Sequence, residues 1–354
     1  MKKIVIAALL SAIGTTAGAQ TVIERYTAGG HPEGTFYYLP KTALRISVMV
    51  EKTQYTPGSM CMYADKYLRM RNVRQSAEVS HKVIGIKVTP FAVADTAKCY
   101  TVKYSGKSVG TNMQLSDDGC LLAVNTETTV PTMPAIFKPS AKPQQPSPES
   151  YLSEDILSAG STAKMAQLIA QDIYEIRDSK NQLTRGQADF MPKDGEQLRL
   201  MLAQLTAQEN AMTSMFTGTV ECDTTEHIIN ICPMEEVNKM ILFRLSKQLG
   251  MVDGDDLSGT PYYIYIRNLH TISLPEPDGK KKKAKEEGIY VNVPEKIKVT
   301  ISDTTRELLS TEIFAAQFGY TELVSGDLFK RNTTKLQLFP TTGSIQKLEA
   351  EQPK

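Results

Sequence analysis

The densest group of acidic side chains is Asp253, Asp255 and Asp256, which lie in the stretch Val-Asp-Gly-Asp-Asp-Leu-Ser-Gly259. Closely spaced aspartates are how loops supply the oxygen ligands that calcium takes. The twelve-residue calcium loop is not reproduced, because Ile264 stands where its final glutamate would be. Turns also favour Asp and Gly for backbone reasons alone. We therefore keep the three aspartates as candidate metal ligands, with a plain turn as the alternative.

Three tyrosines, Tyr262, Tyr263 and Tyr265, follow this acidic stretch closely. Paired carboxylates can hydrolyse glycosidic bonds when their separation in space suits the reaction, and the sequence does not show that separation. The acidic stretch and these tyrosines together carry one hypothesis, a periplasmic protein that binds or hydrolyses glycans.

Other catalytic patterns are missing from the sequence. None of the four histidines (His31, His81, His227 and His270) lies in a His-Glu-x-x-His arrangement, so a helix-borne zinc site is not predicted. Neither a Gly-x-Ser-x-Gly elbow nor a phosphate-binding Gly-x-x-x-x-Gly-Lys loop occurs. Because triads are assembled in space, Cys61 with His81 stays open as a nucleophile and base pair, with structural roles as the alternative. We expect no cofactor and no catalytic site.

The five cysteines are Cys61, Cys99, Cys120, Cys222 and Cys232. No spacing between them is Cys-x-x-Cys, so a zinc knuckle is not predicted. Disulfides form outside the cytoplasm, and an odd count leaves at least one thiol free or intermolecular. We predict Cys99 with Cys120, and Cys222 with Cys232, as the pairs.

The first 19 residues predict export. Met1-Lys-Lys is followed by the apolar run 4–13 and by Ala17-Gly-Ala19, the pattern of a secretory signal cut before Gln20. No later stretch reaches transmembrane length. Lys and Arg total 40 against 39 Asp and Glu, so no net field attracts nucleic acid. We expect a protein of the periplasm or of the outer membrane surface.

The mature chain divides at a Pro-rich stretch. Residues 20–130 are rich in predicted strands, and the alternation of Leu44, Ile46, Val48 and Val50 with polar neighbours indicates a half-buried strand. Residues 131–150 hold six prolines and predict an extended linker. Residues 151–354 form the second predicted unit, with strands over 217–350. The fold class expected is α+β and mostly β, in two units.

Residues 161–216 predict an antiparallel helical hairpin at the start of the second unit. Apolar residues recur at spacings of three and four in both arms. Gly186 is a helix stop, and Asp194 with Gln197 matches a capping box. The apolar stripe is wider than the two-position seam of a coiled coil, owing to Met165, Leu168, Leu200, Leu202 and Phe216. The extra width predicts a second contact surface, either on the protein's own strands or for a partner.

Four stretches carry a family resemblance: Tyr38-Leu-Pro-Lys-Thr42, Gln171-Asp-Ile-Tyr-Glu-Ile-Arg177, Gln187-Ala-Asp-Phe-Met-Pro-Lys-Asp-Gly195 and Ala316-Gln-Phe-Gly319. With them the chain resembles an exported Bacteroidota family, domain-of-unknown-function family 4831, over nearly the whole mature length. The resemblance implies an envelope protein and implies no activity and no catalytic residues.

Three threonines fit that setting. Thr96, Thr224 and Thr304 each follow an aspartate and match the acceptor pattern of Bacteroidota periplasmic O-glycosylation. We expect these threonines to be modified, which would cover and solubilise a loop.

Taken together, these features predict a non-catalytic cell-envelope protein with a structural, scaffolding or assembly role and a protein partner in the envelope. The glycan-handling protein described above is the alternative.

Overall fold

A computed structural model describes residues 22–25, 35–103, 112–139, 146–189, 191–192, 194–273, 288–331 and 333–351. The predicted signal segment, residues 1–19, lies outside the described residues, as do residues 140–145 of the predicted linker. Strands account for 48% and helices for 23% of the structure, and the strands form three antiparallel sheets. The expected mostly-β class is therefore confirmed.

The strands fall on both sides of the two long helices, which lie within residues 162–217. Those that precede them are β1 (Val22–Arg25), β2 (Thr35–Thr56), β3 (Glu78–Lys103), β4 (Met113–Leu115) and β5 (Leu121–Val124). Those that follow them are β6 (Thr219–Ile231), β7 (Val237–Ser246), β8 (Gly250–Val252), β9 (Thr260–Asn268), β10 (Gly288–Ser302), β11 (Glu307–Ser325), β12 (Thr333–Leu338) and β13 (Ile345–Glu351). The helices are α1 (Ala64–Leu68), α2 (Glu154–Leu157), α3 (Thr162–Arg185), α4 (Gly195–Thr217) and α5 (Asp327–Arg331).

The first sheet, in the order β1-β3-β2-β6, is built on the long hairpin of β2 and β3. The second sheet, in the order β11-β10-β9-β7-β8, shares a core with it. That core takes Leu44, Ile46 and Val48 from β2, as their alternation predicts, and Ile264 and Val299 from the facing sheet. Burying one such side chain contributes about 1.5–3 kcal/mol.

The third sheet, in the order β13-β12-β5-β4, covers a second core at the other end of the long hairpin. Tyr37 and Tyr100 from the first sheet meet Leu336 of β12 there. Tyr100 also stacks on Tyr290, with ring centroids 4.5 Å apart. The turn at Gly119 joins β4 to β5, with the left-handed φ of 75° that glycine tolerates.

Strand pairing crosses the predicted boundary at residues 131–150. Leu44 of β2 lies opposite Ile231 of β6, and Val124 of β5 lies opposite Leu336 of β12. The physical reason is that a strand edge needs a hydrogen-bonding partner, and the partners of β2 and β5 come from the far side of the Pro-rich stretch. The two units expected from the sequence therefore share sheets.

The Pro-rich stretch lies on the outer face of the first sheet where it is described. Arg45 Nη1 donates to the carbonyl of Pro134 at 3.3 Å, and the Phe137 amide donates to the Glu226 carboxylate. That carboxylate also accepts from the Ser47 hydroxyl, and these hydrogen bonds lower the pKa of Glu226. Residues 126–139 have no regular secondary structure.

Side-chain caps set the bounds of the two long helices. The Ser161 hydroxyl accepts from the Lys164 amide at 3.2 Å, and α3 ends at Gly186, which has a left-handed φ of 67°. The Asp194 carboxylate accepts from the Gln197 amide at 2.7 Å and starts α4. The helices therefore stop and start at the predicted glycine and aspartate.

A third core joins α1, α2, α3 and α4. Met165 and Leu168 of α3 pack against it, beside Leu68 of α1 and Ile156 of α2. The extra apolar width of the first arm is thus taken up by short helices rather than by strands, which corrects the expectation of packing on the sheet. On the second arm, Leu200 is 58% exposed.

Candidate functional site

The loop between β8 and β9 does not gather its aspartates as metal ligands. No group of three or more His, Cys, Asp and Glu side chains is placed to hold a metal ion anywhere in the described ranges. Asp256 instead accepts from the Ser258 amide at 2.8 Å, and this hydrogen bond lowers the pKa of Asp256. Arg244 donates to two carbonyls of the loop at 2.7 and 3.0 Å, while Asp253 and Asp255 are exposed. The geometry is that of a turn held in place by hydrogen bonds from Arg244 and to Asp256.

The three nearby tyrosines do not share one surface of the second sheet. Tyr262 stacks on Phe243 of the core, with centroids 4.5 Å apart and planes at 14°. Tyr263 and Tyr265 alternate with buried residues of β9 and lie on the outer face of the second sheet. Lys239 Nζ lies 5.1 Å from the centre of the Tyr263 ring. The three tyrosines of the glycan hypothesis are therefore divided between the two faces of the second sheet.

Neither predicted cysteine pair lies within bridging distance. Cys99 is opposite Tyr38 on one side and Cys120 bridges Tyr38 on the other, so two strand spacings of about 4.8 Å separate them. A disulfide needs Cα atoms about 4.4–6.8 Å apart. Cys222 lies near the start of β6 and Cys232 directly follows its last residue, so the strand holds them about 33 Å apart at 3.3 Å per residue. All five cysteines are free thiols in the structure.

We predict five thiols per chain when the unreduced, denatured protein is titrated with Ellman's reagent. In the native protein Cys222 and Cys232 should react first, because both are exposed. Cys99 and Cys120 should react last, because they are buried and burial raises the pKa of both thiols. A count of three thiols before reduction and five after it would contradict this prediction.

Cys61 and His81 contact different elements. The Cys61 amide donates to the Gly58 carbonyl at 3.1 Å in the turn before α1. His81 lies on β3, with Nδ1 3.3 Å from the carbonyl of Lys247. No hydrogen bond joins the two side chains in the part of the chain that the structure describes. The contacts given above join each residue to a backbone carbonyl of a different element.

Two of the family stretches meet in a buried polar junction. The Thr42 amide donates to Gln317 Oε1, and Gln317 Nε2 donates back to the Thr42 carbonyl, both at 2.9 Å. Gln317 Nε2 also donates to the Pro233 carbonyl at 2.7 Å. The Thr42 hydroxyl donates to the Thr341 carbonyl at 3.1 Å, in the turn between β12 and β13. The junction ties all three sheets together, and its buried polar atoms are satisfied.

Asn292 extends this junction. It is 1% exposed, and its Nδ2 donates to the carbonyls of Pro40 and Thr342 at 2.8 Å. Lys98 Nζ donates to Asn292 Oδ1 at 3.3 Å, and burial lowers the pKa of Lys98 although Asp95 opposes the shift. A lysine with a lowered pKa can act as a nucleophile. Here its ammonium group holds the asparagine in place.

α4 carries the candidate functional site, a groove of about 800 Å³. Ala203, Ala207 and Ala211 recur every four residues along one face, so their small side chains leave room for another backbone to approach closely. Further polar and apolar residues of this wall are Leu202, Thr206, Asn210 and Ser214, and the groove is completed by Pro146, Ser147, Pro148, Tyr151, Thr219 and Glu221.

An ion-pair network positions α4 against α3. Glu209 accepts from Arg177 Nε at 2.7 Å and from Lys180 Nζ at 2.9 Å. Burial alone would raise the pKa of Glu209, but the two hydrogen bonds overcome it and lower the pKa. The Glu209 side chain is 16% exposed, so the network is partly shielded from water and contributes more than a surface pair would. The wall of the groove is therefore held in a fixed place.

A comparison with protein families decides the relationship. The family described as domain of unknown function DUF4831 matches residues 33–346. The chain belongs to this family. The residues of this DUF4831 chain that match the family include the polar junction, both long helices and the α4 groove.

The search of curated proteins and the search of solved structures return no match for the DUF4831 chain. Among its described residues, no helix is long and apolar enough to cross a membrane.

The three candidate glycosylation threonines of the DUF4831 chain have different surroundings. Thr304 is exposed in the turn between β10 and β11, where the Asp303 carboxylate accepts from the Thr305 and Arg306 amides. Thr96 is exposed at a register shift of β3, whereas Thr224 is half-buried within β6.

The sequence analysis missed the α4 groove. The reason is that residues 146–151, which form its second wall, lie in or beside the stretch predicted to be a linker. The alanine repeat at 203, 207 and 211 was the available signal, but it does not specify what faces it.

Proposed function

We propose that this DUF4831 chain is a non-catalytic protein of the cell envelope with a scaffolding or assembly role. In this proposal residues 1–19 direct export, and the α4 groove docks a protein partner. The observation that carries the proposal is the groove itself, because a cleft of about 800 Å³ walled by small side chains is a surface on which another chain can bury area.

The chemistry of the groove indicates its partner. Among the described lining residues, Glu221 is the charged one, and the rest are alanine, leucine, tyrosine, proline or small polar residues. Leu200, 58% exposed on the same helix, adds an apolar contact point. The partner is therefore a helix or an extended segment that presents apolar side chains.

The predicted helical hairpin is part of the proposal. α3 and α4 are separated by residues 186–194, and a connection of that length favours antiparallel neighbours. The contacts of Glu209 with Arg177 and Lys180 support this arrangement. In an antiparallel pair α3 packs on the side of α4 that carries Glu209, away from the alanine face that lines the groove.

Site-specific photo-crosslinking in the native host tests the docking role. A benzophenone amino acid in place of Ala207 should give a discrete adduct with one envelope protein. The matched control is the same substitution at Asn181, an exposed residue of α3 outside the groove, which should give none. No adduct from position 207, or the same adducts from both positions, would contradict the proposal.

We also propose that Thr304 carries an O-glycan, since its exposed turn gives an enzyme access to the hydroxyl. The intact mass of the secreted protein should exceed the mass of the polypeptide, and Thr304→Ala should remove one glycan mass. Thr260→Ala is the control, because Thr260 is exposed but follows a glycine. A parent mass equal to the bare polypeptide would end this proposal.

A further inference from the structure

Two cations lie side by side on the outer face of the second sheet. Ile266 of β9 and Val299 of β10 are buried, and the side chains next to them along each strand, Arg267 and Lys298, point to the opposite face. Arg267 is directly opposite Lys298 in the register of the two strands. Like charges directly opposite each other destabilise an antiparallel pair.

Neither cation has a carboxylate of its own in the ranges described. On its other side Lys298 lies opposite Glu312 of β11. The Glu312 carboxylate pairs instead with Lys296 Nζ at 3.2 Å. No ion pair with Arg267 or Lys298 is present among the described side chains. An anion between the two cations would relieve their repulsion.

The cations border a depression of about 310 Å³. Its lining residues are Tyr265, Arg267, Lys298, Thr300, Ser302 and Glu307. Tyr265 and Thr300 are directly opposite each other and place two hydroxyls beside the cations. Glu307 pairs with Ser302 at the other end, about 13 Å along the strand from Lys298 at 3.3 Å per residue. The charge of the depression is thus positive at one end only.

We propose that this depression binds a phosphate or sulfate group, either free or as a monoester. Arg267 offers the planar fork that matches two oxygens of a tetrahedral anion, and Lys298 adds a second positive charge. The hydroxyls of Tyr265 and Thr300 donate to the remaining oxygens. The site is separate from the α4 groove and does not depend on the proposed docking role.

Isothermal calorimetry at constant ionic strength tests the site with three probes: inorganic phosphate, inorganic sulfate and glucose 6-phosphate. The parent should give a saturable heat with at least one of them. Arg267→Gln and Lys298→Gln should each weaken binding at least about tenfold. Lys296→Gln, the matched control on the same strand and face, should change the affinity by less than about twofold, because Lys296 is already paired with Glu312.

Thermal melting without anion shows whether the variants fold. Lys298→Gln should melt at or above the parent temperature, because it removes a like-charge neighbour, so lost binding would not reflect unfolding. Equal affinity for inorganic phosphate and glucose 6-phosphate assigns recognition to the anion alone, whereas tighter binding of the ester assigns part of it to the sugar. No saturable heat with any probe, or an equal loss in Lys296→Gln, would overturn the proposal.

Discussion

Glu295→Gln should lower the free energy of unfolding by about 3 kcal/mol at neutral pH. Glu295 is 2% exposed, at a register shift of β10. Its carboxylate accepts from the amides of Thr271, Ile272 and Lys296 at 2.9, 3.2 and 2.8 Å, and from the Thr271 hydroxyl at 2.5 Å. Burial alone would raise the pKa of Glu295, but these hydrogen bonds lower it from 4.5 to about 2.

The effect of Glu295→Gln on the free energy of unfolding should depend on pH. Because the pKa of Glu295 is lower in the folded chain, its stabilisation is complete above pH 4.5 and is lost as the pH falls towards 2. Urea denaturation should therefore show a large gap between parent and Glu295→Gln at pH 7 and a smaller one at pH 3. An equal gap at both values would refute the role of the ionised carboxylate.

Glu312→Gln is the matched control for Glu295. Glu312 lies on β11, and its side chain is 53% exposed in a surface ion pair with Lys296. Exposed pairs of this kind contribute about 0–1 kcal/mol. The control should change stability little at either pH.

Gly58→Ala should destabilise the protein by about 3–5 kcal/mol. A Cβ atom at this position would lie 2.2 Å from the Met215 carbonyl oxygen and 2.7 Å from the Ser214 carbonyl oxygen. Both atoms belong to the backbone at the end of α4, and the Met60 amide donates to the same Met215 oxygen at 2.7 Å. The backbone at Gly58 cannot move away from the end of α4 without breaking the hydrogen bond between the Met60 amide and the Met215 carbonyl.

Gly85→Ala is the control, because its Cβ would meet only the Met49 side chain, at 3.9 Å. A glycine inside a strand costs about 0.5–1 kcal/mol relative to alanine, so this variant should be as stable as the parent or slightly more stable. Thermal denaturation of the two variants measures the difference. A Gly58→Ala protein within about 1 kcal/mol of Gly85→Ala would show that the helices adjust freely, contrary to our expectation.

Local patterns in the sequence predicted local structure well. The alternation along β2, the stop at Gly186 and the cap at Asp194 all depend on neighbouring residues, and the structure has each of them. Such features follow from side-chain period and from backbone preferences within a few residues.

Features that depend on distant contacts could not be read in this way. The sequence analysis pairs Cys222 with Cys232, but β6 runs from before Cys222 to the residue before Cys232 and holds the two apart. Glu295 looked like any surface glutamate, because the amides of Thr271 and Ile272 that it accepts from lie 24 and 23 residues earlier in the chain. The α4 groove likewise needs a wall whose position is set by tertiary packing.

The pairing of β2 with β6 and of β5 with β12 has a consequence for how the chain matures. Synthesis runs from the N-terminus, so β2 and β5 emerge long before the strands that complete their sheets. Until then their open edges can capture a neighbouring molecule, and long-range pairing of this kind is slow. We therefore expect the sheets to be completed only after β6 and β12 have emerged, and a fragment that ends at residue 150 should aggregate rather than form an independent half.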